Sequence, residues 1–160
     1  MRSLKLYLET SVWNFVFADD APEKKAITCR FFGNLEATPY RLYVSETVLL
    51  EFSGASPEKY QMLLELVKRH DPQVLVLDSE VRELADKYVQ HEALPSKALI
   101  DALHIAYASV HELDFLVSWN LRHIANVTRQ ERVQGVNLLN GYTKPIQLIT
   151  PMEVSEYGQR

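Results

Sequence analysis

Residues Ser96–Asn120, SKALIDALHIAYASVHELDFLVSWN, hold a helical pattern followed at once by a strand, and that succession sets the fold class. Ser96 opens a helix predicted to run to about His111, on which Ala98, Ala102, Ile105 and Ala108 share one small apolar face suited to close packing on a sheet. Asp114-Phe115-Leu116-Val117-Ser118 then reads as a strand. Upstream, Leu4-Lys5-Leu6-Tyr7-Leu8 alternates as a first strand and Arg41-Leu42-Tyr43-Val44 is a second. Val74-Leu75-Val76-Leu77 is a continuous apolar run, as expected of a strand covered on both faces. Downstream, Ile146-Gln147-Leu148-Ile149 is a last strand stopped by Pro151. Helical signals fall between them. Ile27, Phe31 and Leu35 recur at helical spacing after Pro22, Ser56-Pro57-Glu58 starts a helix to about His70, and Ser79 starts another to about His91. Strands separated by helices favour parallel pairing with right-handed crossovers. The expectation is an α/β fold, a three-layer α/β/α sandwich around a parallel sheet of about five strands, with residues 1–160 as one domain.

The 160 residues are 47% hydrophobic and 24% charged, which suits a packed domain and argues against disorder. Cys29 stands alone, so neither an internal disulfide nor a cysteine zinc site is expected. No run approaches the roughly 18 apolar residues of a membrane span, and the first residues lack a signal-peptide core. A cytoplasmic protein without membrane attachment is the simplest reading. The net charge of −4 is unlike that of many nucleic-acid binders. If the chain handles RNA, cations or local basic patches must offset phosphate repulsion.

The functional signal lies in acids placed among apolar residues. Glu51 interrupts Val48-Leu49-Leu50-Glu51-Phe52, either as a partly dehydrated carboxylate or on a helix's narrow exposed stripe. Asp101 sits beside the small apolar face of its helix, where an unpaired carboxylate is costly and needs a cation, a metal, hydrogen-bond donors or a proton, unless it is a helix-boundary acid bonded to backbone. Glu9 ends the first strand, where it either faces a ligand or starts the next helix, and Asn120 follows the fourth strand. Ligands of open parallel sheets bind at the carboxyl ends of the strands. Together Glu9, Glu51, Asp101 and Asn120 suggest an oxygen-lined pocket suited to Mg²⁺ or Mn²⁺.

The segments Tyr7-Leu8-Glu9-Thr10-Ser11-Val12, Ser45-Glu46-Thr47-Val48-Leu49-Leu50-Glu51, Asp101-Ala102-Leu103-His104-Ile105-Ala106, Leu116-Val117-Ser118-Trp119-Asn120 and Ile146–Pro151, in that order, resemble the PIN domain over nearly the whole chain. The likeness is to VapC-type toxin ribonucleases of bacterial toxin–antitoxin pairs. It implies a negatively charged pocket that binds one or two Mg²⁺ or Mn²⁺ ions and hydrolyses single-stranded RNA. It also implies a cognate antitoxin as partner and a tendency to form homodimers, for either of which the segment with Ile27, Phe31 and Leu35 offers an apolar face, unless that face turns to the core. The family's three leading acids map to Glu9, Glu51 and Asp101, its hydroxyl to Ser11 with Thr10 as a helper, and its fourth acid to Asn120. Two positions depart from the pattern: Glu9 replaces the usual aspartate, and Asn120 is neutral. The alternative these departures leave is a PIN-fold module that binds RNA or a protein without cutting.

Other constellations carry less. No His-Glu-x-x-His, Gly-x-Ser-x-Gly or phosphate-loop glycine pattern is present. His104 follows Asp101 by one helical turn and reads first as a packing residue. Arg122 and His123 either touch phosphate or sit solvated. Lys24, Lys25, Arg30, Lys68, Arg69, Arg129 and Arg132 offer local positive charge or simply solvated faces. Trp13 and Trp119 either stack a base or pack internally.

Overall fold

The computed structural model describes residues 3–120 and 126–158. In chain order the elements are β1 (Lys5–Leu8), α1 (Thr10–Asn14), a 3-10 turn (Phe15–Phe17), α2 (Pro22–Leu35), β2 (Arg41–Ser45), α3 (Glu46–Phe52) and α4 (Pro57–His70). There follow β3 (Gln73–Leu75), α5 (Ser79–Gln90), a 3-10 turn (Ser96–Ala98), α6 (Leu99–Val110), β4 (Phe115–Val117), α7 (Val127–Leu139), β5 (Gln147–Ile149) and α8 (Pro151–Gly158).

The strands form one parallel sheet in the order β3-β2-β1-β4-β5, which is the α/β architecture expected. Leu6, Tyr7 and Leu8 of β1 are completely buried. Successive strand residues point to opposite faces, so burial of all three means that both faces of the sheet are covered. Phe115, Leu116 and Val117 of β4 repeat this pattern. The helix α6 lies against the core through Ala102, Ile105, Ala106 and Ala108, all without exposed surface. Their small side chains let the helix approach closely.

Local signals determine the helix starts. Ser56 caps α4 by accepting the Lys59 N–H, with Pro57 at its first position, and Asp78, one residue before the expected Ser79, caps α5 by accepting the Val81 N–H. The helix predicted from Ser96 divides into a 3-10 turn and α6, with Asp101 in the first turn of the latter.

The structure departs from sequence expectation in two places. The apolar run Val74–Leu77 predicts a strand covered on both faces, but β3 is the sheet edge, and Val74 and Val76 are 44% and 60% exposed. Pairing on one side only leaves that run uncovered. The Ile27, Phe31 and Leu35 stripe of α2 is no docking face: Phe31 and Leu35 belong to the core and Ile27 packs on it. The helix α7, capped by Asn126, had no counterpart in the sequence reading, because it buries only Val133, Val136 and Asn137.

Candidate active site

The sheet order places a topological switch beside β1. Successive crossovers run outward from β1 through β2 to β3 on one side, and through β4 to β5 on the other. A crevice therefore opens at the carboxyl ends of β1 and β4, between loops that diverge. Glu9 directly follows β1, and Ser118-Trp119-Asn120 directly follow β4. The Glu9 N–H donates to the Val117 carbonyl at 3.0 Å, which locks the two strand ends together.

Both readings of Glu9 hold at once. It is the N-cap of α1, its carboxylate accepting the Ser11 N–H, and the same side chain lines the crevice. Its second oxygen accepts the Ser118 hydroxyl at 2.7 Å. Glu9 is 5% exposed. Burial raises its carboxyl pKa above the usual value, and the opposing influences of His104, Ser11 and Ser118 do not cancel the effect. Among the described residues, no Lys or Arg lies within ion-pair distance of it.

Glu51 stands in the last turn of α3, whose N-terminus Ser45 caps. It is 36% exposed, at the mouth of the crevice. One of its oxygens accepts Thr10 Oγ1 at 2.5 Å and His104 Nε2 at 2.6 Å. Burial pushes this carboxyl up, but the His104 hydrogen bond and charge, with the Thr10 hydroxyl, outweigh it and hold Glu51 below the usual range.

His104 is 1% exposed, and its Nδ1 lies 2.6 Å from the Tyr7 hydroxyl, itself 2.8 Å from Ser45 Oγ. With Glu51 ionised, Nε2 must carry a proton. The contacts then run as a chain: the Val48 N–H donates to Ser45 Oγ, Ser45 and Tyr7 share a hydrogen bond, the Tyr7 hydroxyl meets Nδ1, and Nε2–H donates to Glu51. His104 thus does pack in the interior, as its sequence position suggests, and also fastens a crevice carboxylate.

On the other wall Asn120 Nδ2 approaches Asp101 Oδ1 at 3.4 Å, and its backbone N–H donates to Ser118 Oγ at 2.9 Å. Ser11 Oγ accepts the Trp119 N–H at 2.9 Å, tying α1 to the turn after β4. The crevice, of about 320 Å³, is lined by all of Glu9, Ser11, Glu51, Asp101 and Asn120, joined by Thr10, Asn14, Phe15, His104 and Trp119. Five positions named from sequence thus come together from four separate segments. Trp13 does not: it is fully buried, with its indole N–H on the Leu8 carbonyl. Arg122 and His123 lie outside the described residues. The role of His104 was foreshadowed only by its one-turn spacing from Asp101, while nothing local marks Tyr7, Ser118 or Phe15. A larger cleft of about 450 Å³ opens near the starts of β2 and β3, but its charged Arg69 and Glu36 face each other at 3.4 Å.

The crevice fits a hard divalent ion in the kind of donor it offers: carboxylates, an amide and hydroxyls. The buried Glu9 carboxylate, with no Lys or Arg partner among the described residues, is the feature that a cation would relieve. The arrangement is not that of a closed site, since among the described residues no three His, Cys, Asp or Glu side chains converge on one point. Glu9 and Glu51 are instead turned onto internal donors.

No protein-family model and no curated protein matches this sequence. The fold recurs in a chain of the crystal structure of VapBC2 from Rickettsia felis bound to a DNA fragment from their promoter. The two share a TM-score of 0.54 and 17% sequence identity, over 74% of this chain and 90% of that one. The parallel α/β fold expected from sequence is therefore the fold observed, and it is shared with that chain. No helix among the described residues is long and apolar enough to cross a membrane.

Proposed function

We propose that this chain is a metal-dependent endoribonuclease that hydrolyses phosphodiester bonds of single-stranded RNA, as the toxin of a toxin–antitoxin pair. The observation that carries the reading is the buried Glu9 carboxylate, without a Lys or Arg partner among the described residues, in one crevice with Glu51, Asp101 and Asn120. Those four residues would hold one or two Mg²⁺ or Mn²⁺ ions. When bound, such an ion supplies Lewis acidity toward phosphodiester oxygens and activates water. The protein's own part is positioning. His104 and Thr10 fix Glu51, Ser118 and the Ser11 N–H fix Glu9, and the Ser11 hydroxyl holds the turn that carries Asn120.

The fold shared with a chain of VapBC2 supports an antitoxin partner, and self-association belongs to the same proposal. Any such interface uses surfaces other than the buried Phe31 and Leu35. A second reading, an RNA- or protein-binding module that does not cut, is favoured by the internal engagement of Glu51 and by the neutral Asn120.

Incubating assorted single-stranded RNAs with wild type and Asp101→Asn, in Mn²⁺, Mg²⁺ or EDTA, separates the two. The nuclease reading expects cleavage by wild type only with metal, and none by Asp101→Asn. RNA retained intact by wild type in every metal supports the binding module instead.

A further inference from the structure

One wall of the crevice takes no part in the scheme above. Phe15 and Trp119 line it beside the acids, their ring centroids 6.0 Å apart and their planes inclined by 54°. Trp119 is held at two points, its indole Nε1–H donating to Thr28 Oγ1 at 2.8 Å and its backbone N–H to Ser11 Oγ. Phe15 is half-buried and keeps accessible surface. Above both rings lies Lys24, exposed on α2, its ammonium 5.4 Å from the Phe15 centroid and 5.6 Å from that of Trp119. Among the described residues no carboxylate lies within ion-pair distance of Lys24, although the adjacent Lys25 pairs with Asp19. Internal packing accounts for the burial of Trp119. It does not account for an ammonium held over two aromatic rings, with no carboxylate partner among the described residues, at the rim of an acidic crevice in a chain of net charge −4.

We propose that Phe15, Trp119 and Lys24 form the seat for one nucleotide of single-stranded RNA next to the reacting phosphate. The inference rests on the ribonuclease reading and adds how the strand is gripped. A crevice walled by Glu9, Glu51 and Asp101 repels the sugar–phosphate chain, so the strand needs a foothold that combines a cation with an uncharged surface. Phe15, with the buried Trp119 behind it, offers that surface to a base, since every base has a face that stacks. Lys24 covers the rings in the free protein. An incoming base takes its place, and the flexible stem carries the ammonium to the neighbouring phosphate. Phe15, backed by the fixed indole, and the mobile lysine therefore divide the work, one setting the plane of the base and the other following the backbone.

The test is fluorescence anisotropy on a labelled single-stranded RNA of mixed sequence and on an abasic ribose–phosphate chain of equal length. An Asp101→Asn background in Mg²⁺ keeps the RNA intact. Lys24→Gln is expected to weaken both strands and to reduce the slope of log affinity against log salt by about 0.7. Phe15→Leu is expected to weaken the mixed sequence roughly ten-fold and leave the abasic chain unchanged. Parent-like affinities in both variants, with wild type still cutting RNA in Mn²⁺, overturn the seat and leave the ribonuclease reading standing. Equal weakening of both strands by Phe15→Leu overturns base stacking. Failure of the parent to bind either strand and of wild type to cut RNA overturns the ribonuclease reading, and the seat with it.

Discussion

His104→Phe separates a histidine that merely fills space from one that holds Glu51. The phenyl ring keeps the packing against Tyr7, whose centroid lies 5.7 Å from the imidazole, and removes both polar atoms. Tyr7 loses its 2.6 Å bond to Nδ1 but keeps Ser45, so that link costs toward the lower end of the usual range, about 0.5–1 kcal/mol. Glu51, a charged acceptor, loses the His104 Nε2–H donor, a bond ordinarily worth about 1.5–3 kcal/mol. At 36% exposure water replaces part of it, which brings the loss to about 1 kcal/mol. The sum is roughly 2 kcal/mol, or a fall in Tm of about 4–8 °C for a chain of this length. The pH dependence has a definite sign. Burial raises the Glu51 carboxyl, His104 and Thr10 more than offset this, and the folded value is lowered from 4.5. A depressed carboxyl contributes stability that is present above its unfolded value and is lost as pH falls through its folded value. The gap between wild type and variant should therefore be full at neutral pH and close progressively below the unfolded value of 4.5. Urea melts across that range measure it, and a double-mutant cycle with Glu51→Gln should return a coupling of about 1 kcal/mol. A variant within about 0.5 kcal/mol of wild type at neutral pH, or a gap unchanged in acid, refutes the positioning role.

Glu9 has the opposite linkage. Its raised carboxyl contributes stability that is present in acid and lost as pH rises through the folded value, so Glu9→Gln in EDTA should be about 1 kcal/mol more stable than wild type at neutral pH and lose that advantage in acid. A variant less stable than wild type at both pH values in urea melts contradicts this. Tyr88→Phe should cost about 1–2 kcal/mol in the same assay, because Asn137 Oδ1 loses a buried donor at 2.5 Å while Asn137 and Ser109 still bond at 3.0 Å. Mn²⁺ at about a hundred times its Kd should stabilise the protein by about 2.7 kcal/mol relative to EDTA, and an unchanged Tm with no calorimetric signal counts against an ion in the crevice.

Periodicity and capping residues made the alternation of strands and helices readable from sequence, because those preferences act within a turn or a few strand residues. Ser56 and Pro57 at the start of α4 and the buried run of β1 are of this kind. The acids were readable too, as charges where apolar residues were expected. Tertiary structure alone decided which strand lies at the edge. An apolar run reads the same beside one neighbour or two, so the exposure of Val74 on β3, and of Val76 just after it, depends on where the chain crosses over. The same holds for each side chain's partner. His104 meets Glu51 from 53 positions away and Tyr7 from 97, and Trp119 meets Thr28 across 91. The burial that raises Glu9 is likewise imposed by β4, which lies more than a hundred residues along the chain and beside β1 in the sheet. Local sequence sets what a segment becomes, while the order of strands in the sheet sets what each side chain meets, and the chemistry of the crevice follows from the second.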